Sequence, residues 1–159
     1  MVNLRHTARH QHPSLNLNLN LNLNLLILIF DHVKLQAYTK ALAFATWSET
    51  ILDRIPKSAA VHGQLDRART SIILNIPEGN GRFTPADRCK FFDIARGSSL
   101  ECAGCLDLLF IKKLLSETEL DEGKSLLKEV VSLLVGLIRS NSPNRLHENA
   151  LPYRVGGED

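Results

Sequence analysis

The chain has 159 residues, ordinary apolar content, few aromatic residues and a net charge of +2 with histidines neutral. That length supports one domain with a true core. The near-balanced charge excludes a chain that is basic throughout, so any nucleic-acid contact must come from local segregation of charge.

The N-terminal part stands apart. Residues Leu15 to Asn24 alternate Leu and Asn, and an apolar run Leu25 to Phe30 follows. Strict alternation is a strand period, not a helix period. The asparagines exclude a membrane span, because each would bury an amide in lipid. The apolar run is too short for a signal-peptide core. Three readings fit: an unfolded low-complexity leader, a β-prone aggregation hazard, or a translated repeat upstream of the true start. The expectation for residues 1–30 is a low-complexity, disordered leader or a misassigned start. His6, His10 and His12 cluster there, which in such a tail is incidental rather than a metal site.

Low aromatic content beside many Leu, Ala and Ile favours packed helices over a β-sandwich. The first helix is expected from about Asp31, acting as cap, to Asp53, with Val33, Ala37, Ala41, Phe44 and Ile51 facing inward and Ile55-Pro56 ending it. A second is expected from about Ser58 to Glu78, with a narrow seam of Val61, Leu65, Ala68, Ile72 and Ile76. Pro77 should kink or end its last turn, and Gly79 and Gly81 should close it at positive φ. The third begins at Thr84 as N-cap, with Pro85 next and Asp87 at the third position, and runs to about Leu115. Its stripe is Phe91, Ile94, Ala95, Ser98, Cys102, Cys105 and Leu109, while Phe92, Leu106 and Ile111 lie off that line. Apolar residues on more than one face imply partners on more than one side. The fourth opens on Ser116-Glu-Thr-Glu119, a capping-box pattern, and carries the clearest amphipathic repeat, from Leu126 to Ile138. Residues 141–159 lose all periodicity and read as a flexible tail. Residues 31–140 therefore predict an all-α, antiparallel up-down-up-down four-helix bundle.

Cys89, Cys102 and Cys105 argue against a disulfide scaffold and for a reducing cytoplasm. Cys102 and Cys105 form a C-x-x-C without a second pair, so they read as small buried thiols rather than zinc ligands. Glu78-Gly-Asn-Gly-Arg82 lacks the Lys-Ser/Thr ending of a phosphate loop and follows no strand. No cofactor is expected.

Gln64, Arg67, Ser71, Asn75 and Glu78 recur at helical spacing and form one polar row along the second helix. A turn near Arg82 brings Arg67 level with Gly97 and sets Glu101 one turn on, which makes an Arg67–Glu101 ion pair sterically reasonable. The plain use of such a row is an inter-helix network that fixes register; a ligand site is its rival. No His, Ser or metal ligands join these carboxylates, so the pattern is not that of an enzyme. Gly97, Ser98, Ser99, Ala103 and Gly104 are small residues inside the third helix and imply close helix packing, within the chain or between copies. Arg69, Arg82, Arg88 and Lys90 gather positive charge around the hairpin and are the candidate nucleic-acid contacts.

The run Gln64-x-x-Arg67-Ala68-x-x-Ser71-Ile72-x-x-Asn75-Ile76-x-Glu78-Gly79, then Arg82, resembles the signature of the bacterial four-helix-bundle proteins, the ribosomal intervening-sequence protein family. Phe91-Phe-Asp-Ile-Ala-Arg-Gly-Ser-Ser-Leu-Glu-Cys fits that family's third-helix motif. Asp66 and Pro77 depart from it, standing where relatives carry a basic residue and Ala. The resemblance covers about residues 30–140 and implies a homopentameric ring of four-helix protomers. It also implies two settings: insertions in the large-subunit rRNA gene, and retroelements in which a related protein joins a reverse transcriptase and nucleic acid. The resulting expectation is a non-enzymatic oligomer that binds RNA or DNA non-specifically through a basic surface. The alternative is a structural adaptor ring that docks a partner protein without touching nucleic acid. A small-molecule or metal binder is the weakest reading.

Overall fold

Four long helices and one short turn of 3-10 helix make up the described part of a computed structural model, residues 31–142. Helix α1 spans Gln36–Leu52, α2 Ala60–Asn80, α3 Pro85–Ile111 and α4 Glu117–Asn141. No strand occurs among the described residues. The described residues from His32 onward belong to one compact unit. The leader, its histidine cluster and the tail beyond Ser142 lie outside the described residues.

The helices run antiparallel in sequence order. Ser71 meets Ser98 and Gln64 meets Glu101 across α2 and α3, so higher numbers on one helix face lower numbers on the other. Lys40–Glu129 and Arg54–Glu119 set the same sense for α1 and α4, and Lys124–Asp107 with Cys89–Ile138 set it for α3 and α4. Each helix packs on the two helices beside it around the square, α1 closing on α4, and the backbones of the diagonal pairs stay apart. Phe44, Leu65, Ile72, Ile76, Phe92, Leu106, Leu109, Val130, Leu134 and Ile138 fill the middle. Each such side chain contributes about 1.5–3 kcal/mol through its burial.

The helix ends correct several expectations. Asp31 does not cap α1. It lies in the 3-10 turn Asp31–Lys34, and Leu35, extended and without a side-chain cap bond, precedes the α-helix. Val33 is exposed there instead of joining the core. Helix α2 starts at Ala60, because Ser58 falls within the turn in which Ala59 N–H bonds the Pro56 carbonyl. Pro77 does not end α2, which continues to Asn80. Proline removes only its own N–H, and the Pro77 carbonyl still accepts from Gly81 N–H at 2.9 Å. Among the described residues no glycine has positive φ; Gly81 closes the helix at φ −76°. Gly79 serves contact instead: a Cβ there would lie 2.8 Å from Phe92 Cε1 and 3.1 Å from Phe91 Cβ, so its absence lets α2 and α3 close on each other.

Helix α3 begins as expected, with Thr84 Oγ1 accepting from Asp87 N–H at 3.2 Å and Pro85 in the first turn. It ends at Ile111, short of Leu115. Lys113 takes φ 58°, its N–H bonds the Phe110 carbonyl, and Leu114 N–H reaches back to Leu109. This is the paired closure usually built on glycine. Ala95, Ser98, Cys102, Cys105 and Leu109 are buried as expected, but the buried stripe differs elsewhere. Cys89, Phe92, Ser99 and Leu106 are buried, Phe91 is half-buried, and Ile94 is exposed. Ser116 and Glu119 form the full capping box of α4.

Candidate nucleic-acid interface

The polar row on α2 resolves into three separate contacts with α3. At one end Gln64 Nε2 donates to Glu101, and Arg67 donates to the Gln64 carbonyl oxygen. Arg67 and Glu101 form no direct ion pair; the amide stands between them and carries the link, because its donor and acceptor face opposite ways. In the middle the Ser71 and Ser98 hydroxyls meet at 2.8 Å, and Asn75 Nδ2 donates to the Ser71 carbonyl at 2.8 Å. At the turn Glu78 pairs with Arg82, whose guanidinium lies 4.6 Å above the centre of the Phe91 ring. The row is thus a set of satisfied packing contacts along the edge of one helix pair.

The four basic candidates part company. Arg69 faces the α1–α2 side, its side chain only 15% exposed, bonded to Glu49 and to Asp66 at 2.8 Å. Burial lowers its pKa, but the bonds to Glu49 and Asp66 outweigh burial and hold the guanidinium above its ordinary value. Arg82, Arg88 and Lys90 share the α2–α3 turn. Arg88 Nη2 donates to Asn80 Oδ1 at 3.1 Å, while its Nε is buried without a hydrogen-bond partner. Lys90 is exposed. Arg139 enters the last turn of α4 at this same end of the bundle. Lys34, just before α1, is a fifth cation at this end, and Glu78, Asp87 and, in the same short turn as Lys34, Asp31 stand against them. The opposite end has the reverse balance: Arg54, Lys57, Lys112 and Lys113 stand against Glu49, Asp53, Glu117, Glu119, Asp121 and Glu122. Charge that is nearly even in total is therefore separated along the bundle axis.

Two apolar features mark the surface, and the second, apolar residues on more than one face of α3, is the one the sequence itself implies. Phe83, in the turn, is fully exposed at 102%. Its place just before the Thr84 cap is a signal: a residue there packs on the fourth helical residue when both are apolar, and that residue is Arg88. The second is the outer face of α3, where Ile94, Leu100, Leu108 and Ile111 are exposed, Ile111 at 73%. Gly97 and Gly104 lie among them with nothing within 4 Å of a would-be Cβ, so these small residues face outward, while Ser98 and Ser99 are the ones packed within the chain.

The other candidate chemistry is weak. A groove of about 580 Å³ between α1 and α2, lined by Thr46, Glu49, Thr50, Asp53, Arg69 and Thr70, has its one arginine neutralised by carboxylates. The three cysteines are free and buried. Burial, then the neighbouring Cys105 and Glu101, push the Cys102 thiol up to about 12. Burial and Glu101 raise Cys105 as well, so neither is a ready thiolate. Among the described residues no group of His, Cys, Asp and Glu is placed to hold a metal, and no helix is long and apolar enough to cross a membrane.

No curated protein matches the chain. A solved structure from Bacteroides thetaiotaomicron, described as a protein of unknown function from the S23 ribosomal protein family, is 24% identical. It covers 65% of this chain and 98% of its own, with a TM-score of 0.61, which shows a shared fold. The model of the 23S rRNA-intervening sequence proteins matches residues 33–136. That span takes in all of α1, α2 and α3, the hairpin motif between them and most of α4, and with it the chain belongs to the 23S rRNA-intervening sequence protein family.

Proposed function

We propose that this protein is a non-enzymatic homo-oligomer of the cytoplasm, a pentamer by family resemblance, that binds nucleic acid without sequence preference through the hairpin end of the bundle. The observation that carries the reading is the axial separation of charge, with Arg82, Arg88, Lys90 and Arg139 at one end. The exposed apolar face of α3 supports assembly, since a monomer rarely leaves such a strip uncovered. In a ring of parallel protomers every basic end would point the same way, so a modest patch per chain would act repeatedly on one polymer.

Light scattering and fluorescence anisotropy test the two halves of this reading. The mass in solution should be a multiple of the 17.8 kDa chain, and a monomer at micromolar concentration refutes assembly. RNA and DNA oligomers should bind tightly at low salt and lose affinity steeply as salt rises. A triple variant, Arg82→Ser, Arg88→Ser and Lys90→Ser, should bind far more weakly. Arg69 is left intact, because its ion pairs join α1 to α2. If the wild type binds no nucleic acid at low salt, or the variant binds equally well, the reading passes to an adaptor that docks a partner protein, such as a reverse transcriptase.

A further inference from the structure

We propose that Phe83 is a stacking platform for the bases of single-stranded nucleic acid, an inference that rests on the nucleic-acid reading above and sharpens it from any polyanion to an unpaired strand. Among the described aromatic residues Phe44 and Phe92 are buried, Tyr38, Trp47 and Phe91 are half-buried, and Phe110 is 41% exposed toward the acidic end. Phe83 alone stands wholly in solvent, and it stands at the basic end.

The turn holds it there. On one side Gly81 N–H bonds the Pro77 carbonyl and Arg82 N–H bonds Gly79. On the other Thr84 caps α3, with Asp87 N–H on its hydroxyl and Arg88 N–H on its carbonyl at 3.0 Å. The backbone on both flanks of Phe83 is therefore fixed by hydrogen bonds, and the ring is presented rather than trailing on a loose loop. Packing cannot recover it, because the helical position it would cover is Arg88, whose guanidinium turns back to Asn80. Arg82 is likewise held over Phe91, with its charge beside Phe83 in sequence.

An exposed aromatic face at a basic end of the fold is what a flexible strand uses: phosphates follow the charge, and an unstacked base lies on the ring. A duplex keeps its bases stacked and offers the ring nothing, while its phosphates still meet the cations. The chemistry thus separates two ligands that charge alone does not.

The test uses the full chain with labelled oligothymidylate, a duplex of equal length, and an abasic strand carrying phosphates without bases. Phe83→Ala should weaken oligothymidylate binding about tenfold and leave the duplex and abasic strands unchanged. Phe83→Trp should restore oligothymidylate binding. The inference alone is overturned if the wild type binds both strand types and Phe83→Ala does not alter the single-strand affinity. If the wild type binds no nucleic acid, the parent reading and the inference fall together. If Phe83→Ala lowers the mass of the assembly, the ring belongs to a contact between copies and the inference is wrong.

Discussion

Two glycines on α4 should respond unequally to the same substitution. Gly→Ala inside a helix gains about 1 kcal/mol in helix propensity at either site. At Gly136 a new Cβ would meet nothing within 4 Å, so that gain should appear undiminished. At Gly123 the Cβ would fall 2.7 Å from Leu106 Cδ1 and nearer still to the Trp47 ring. The glycine is buried, and the bare backbone is what lets α4 close over Trp47 and Leu106 together. Forcing a methyl into a filled site typically costs about 1–3 kcal/mol. Trp47 is only half-buried and its ring can slide outward, which places the cost toward the lower part of that range. Gly136→Ala should thus stabilise by about 1 kcal/mol, and Gly123→Ala should range from neutral to a loss of about 1 kcal/mol. Urea denaturation of both variants, monitored by helical circular dichroism, measures the difference. Equal midpoint shifts in the two would refute the close approach of α1, α3 and α4 at Gly123.

The amide relay predicts a conditional coupling. A double-mutant cycle of Arg67→Met and Glu101→Gln should give about 0.2–1 kcal/mol, the scale of exposed polar pairs. Repeated in a Gln64→Ala background it should vanish, and a coupling that survives would mean the two residues touch directly. Glu119 predicts an acid dependence. Its carboxylate accepts from the Ser116 N–H at 2.8 Å, the Ser116 hydroxyl and Arg54, which hold its pKa below the ordinary 4.5. A carboxyl whose folded pKa is depressed adds stability that is complete above its unfolded pKa and fades as pH falls through the folded value. The melting temperature should therefore drop below about pH 4.5, and Glu119→Gln should drop less steeply. Identical acid limbs for wild type and variant would remove Glu119 from the account.

Much of the fold was legible because it rests on local chemistry. Thr84 with Asp87 and Ser116 with Glu119 announce helix starts by spacing alone, and both caps form as the spacing predicts. The seam Val61, Leu65, Ala68, Ile72 and Ile76 is buried throughout, because a surface helix of polar background has one way to turn its apolar side inward. Helix α3 was harder for the converse reason. It is apolar on two faces, so periodicity alone leaves open which face the chain itself covers. Packing chose Phe92 and Leu106 for the interior and left Ile94 and Leu108 outside.

The candidate site divides in the same way. Residue types and helical spacing place Arg67, Ser71 and Glu101 at the α2–α3 edge, and they are found there. Spacing within one helix carries no information about side chains on another, so it did not show Gln64 standing between Arg67 and Glu101, or Glu49 and Asp66 closing on Arg69. By itself the sequence determines four helices, the caps of α3 and α4, and the order of the helices around the bundle. Only the tertiary structure decides which charges meet an opposite charge and which remain free, because that depends on distances between residues far apart in the chain.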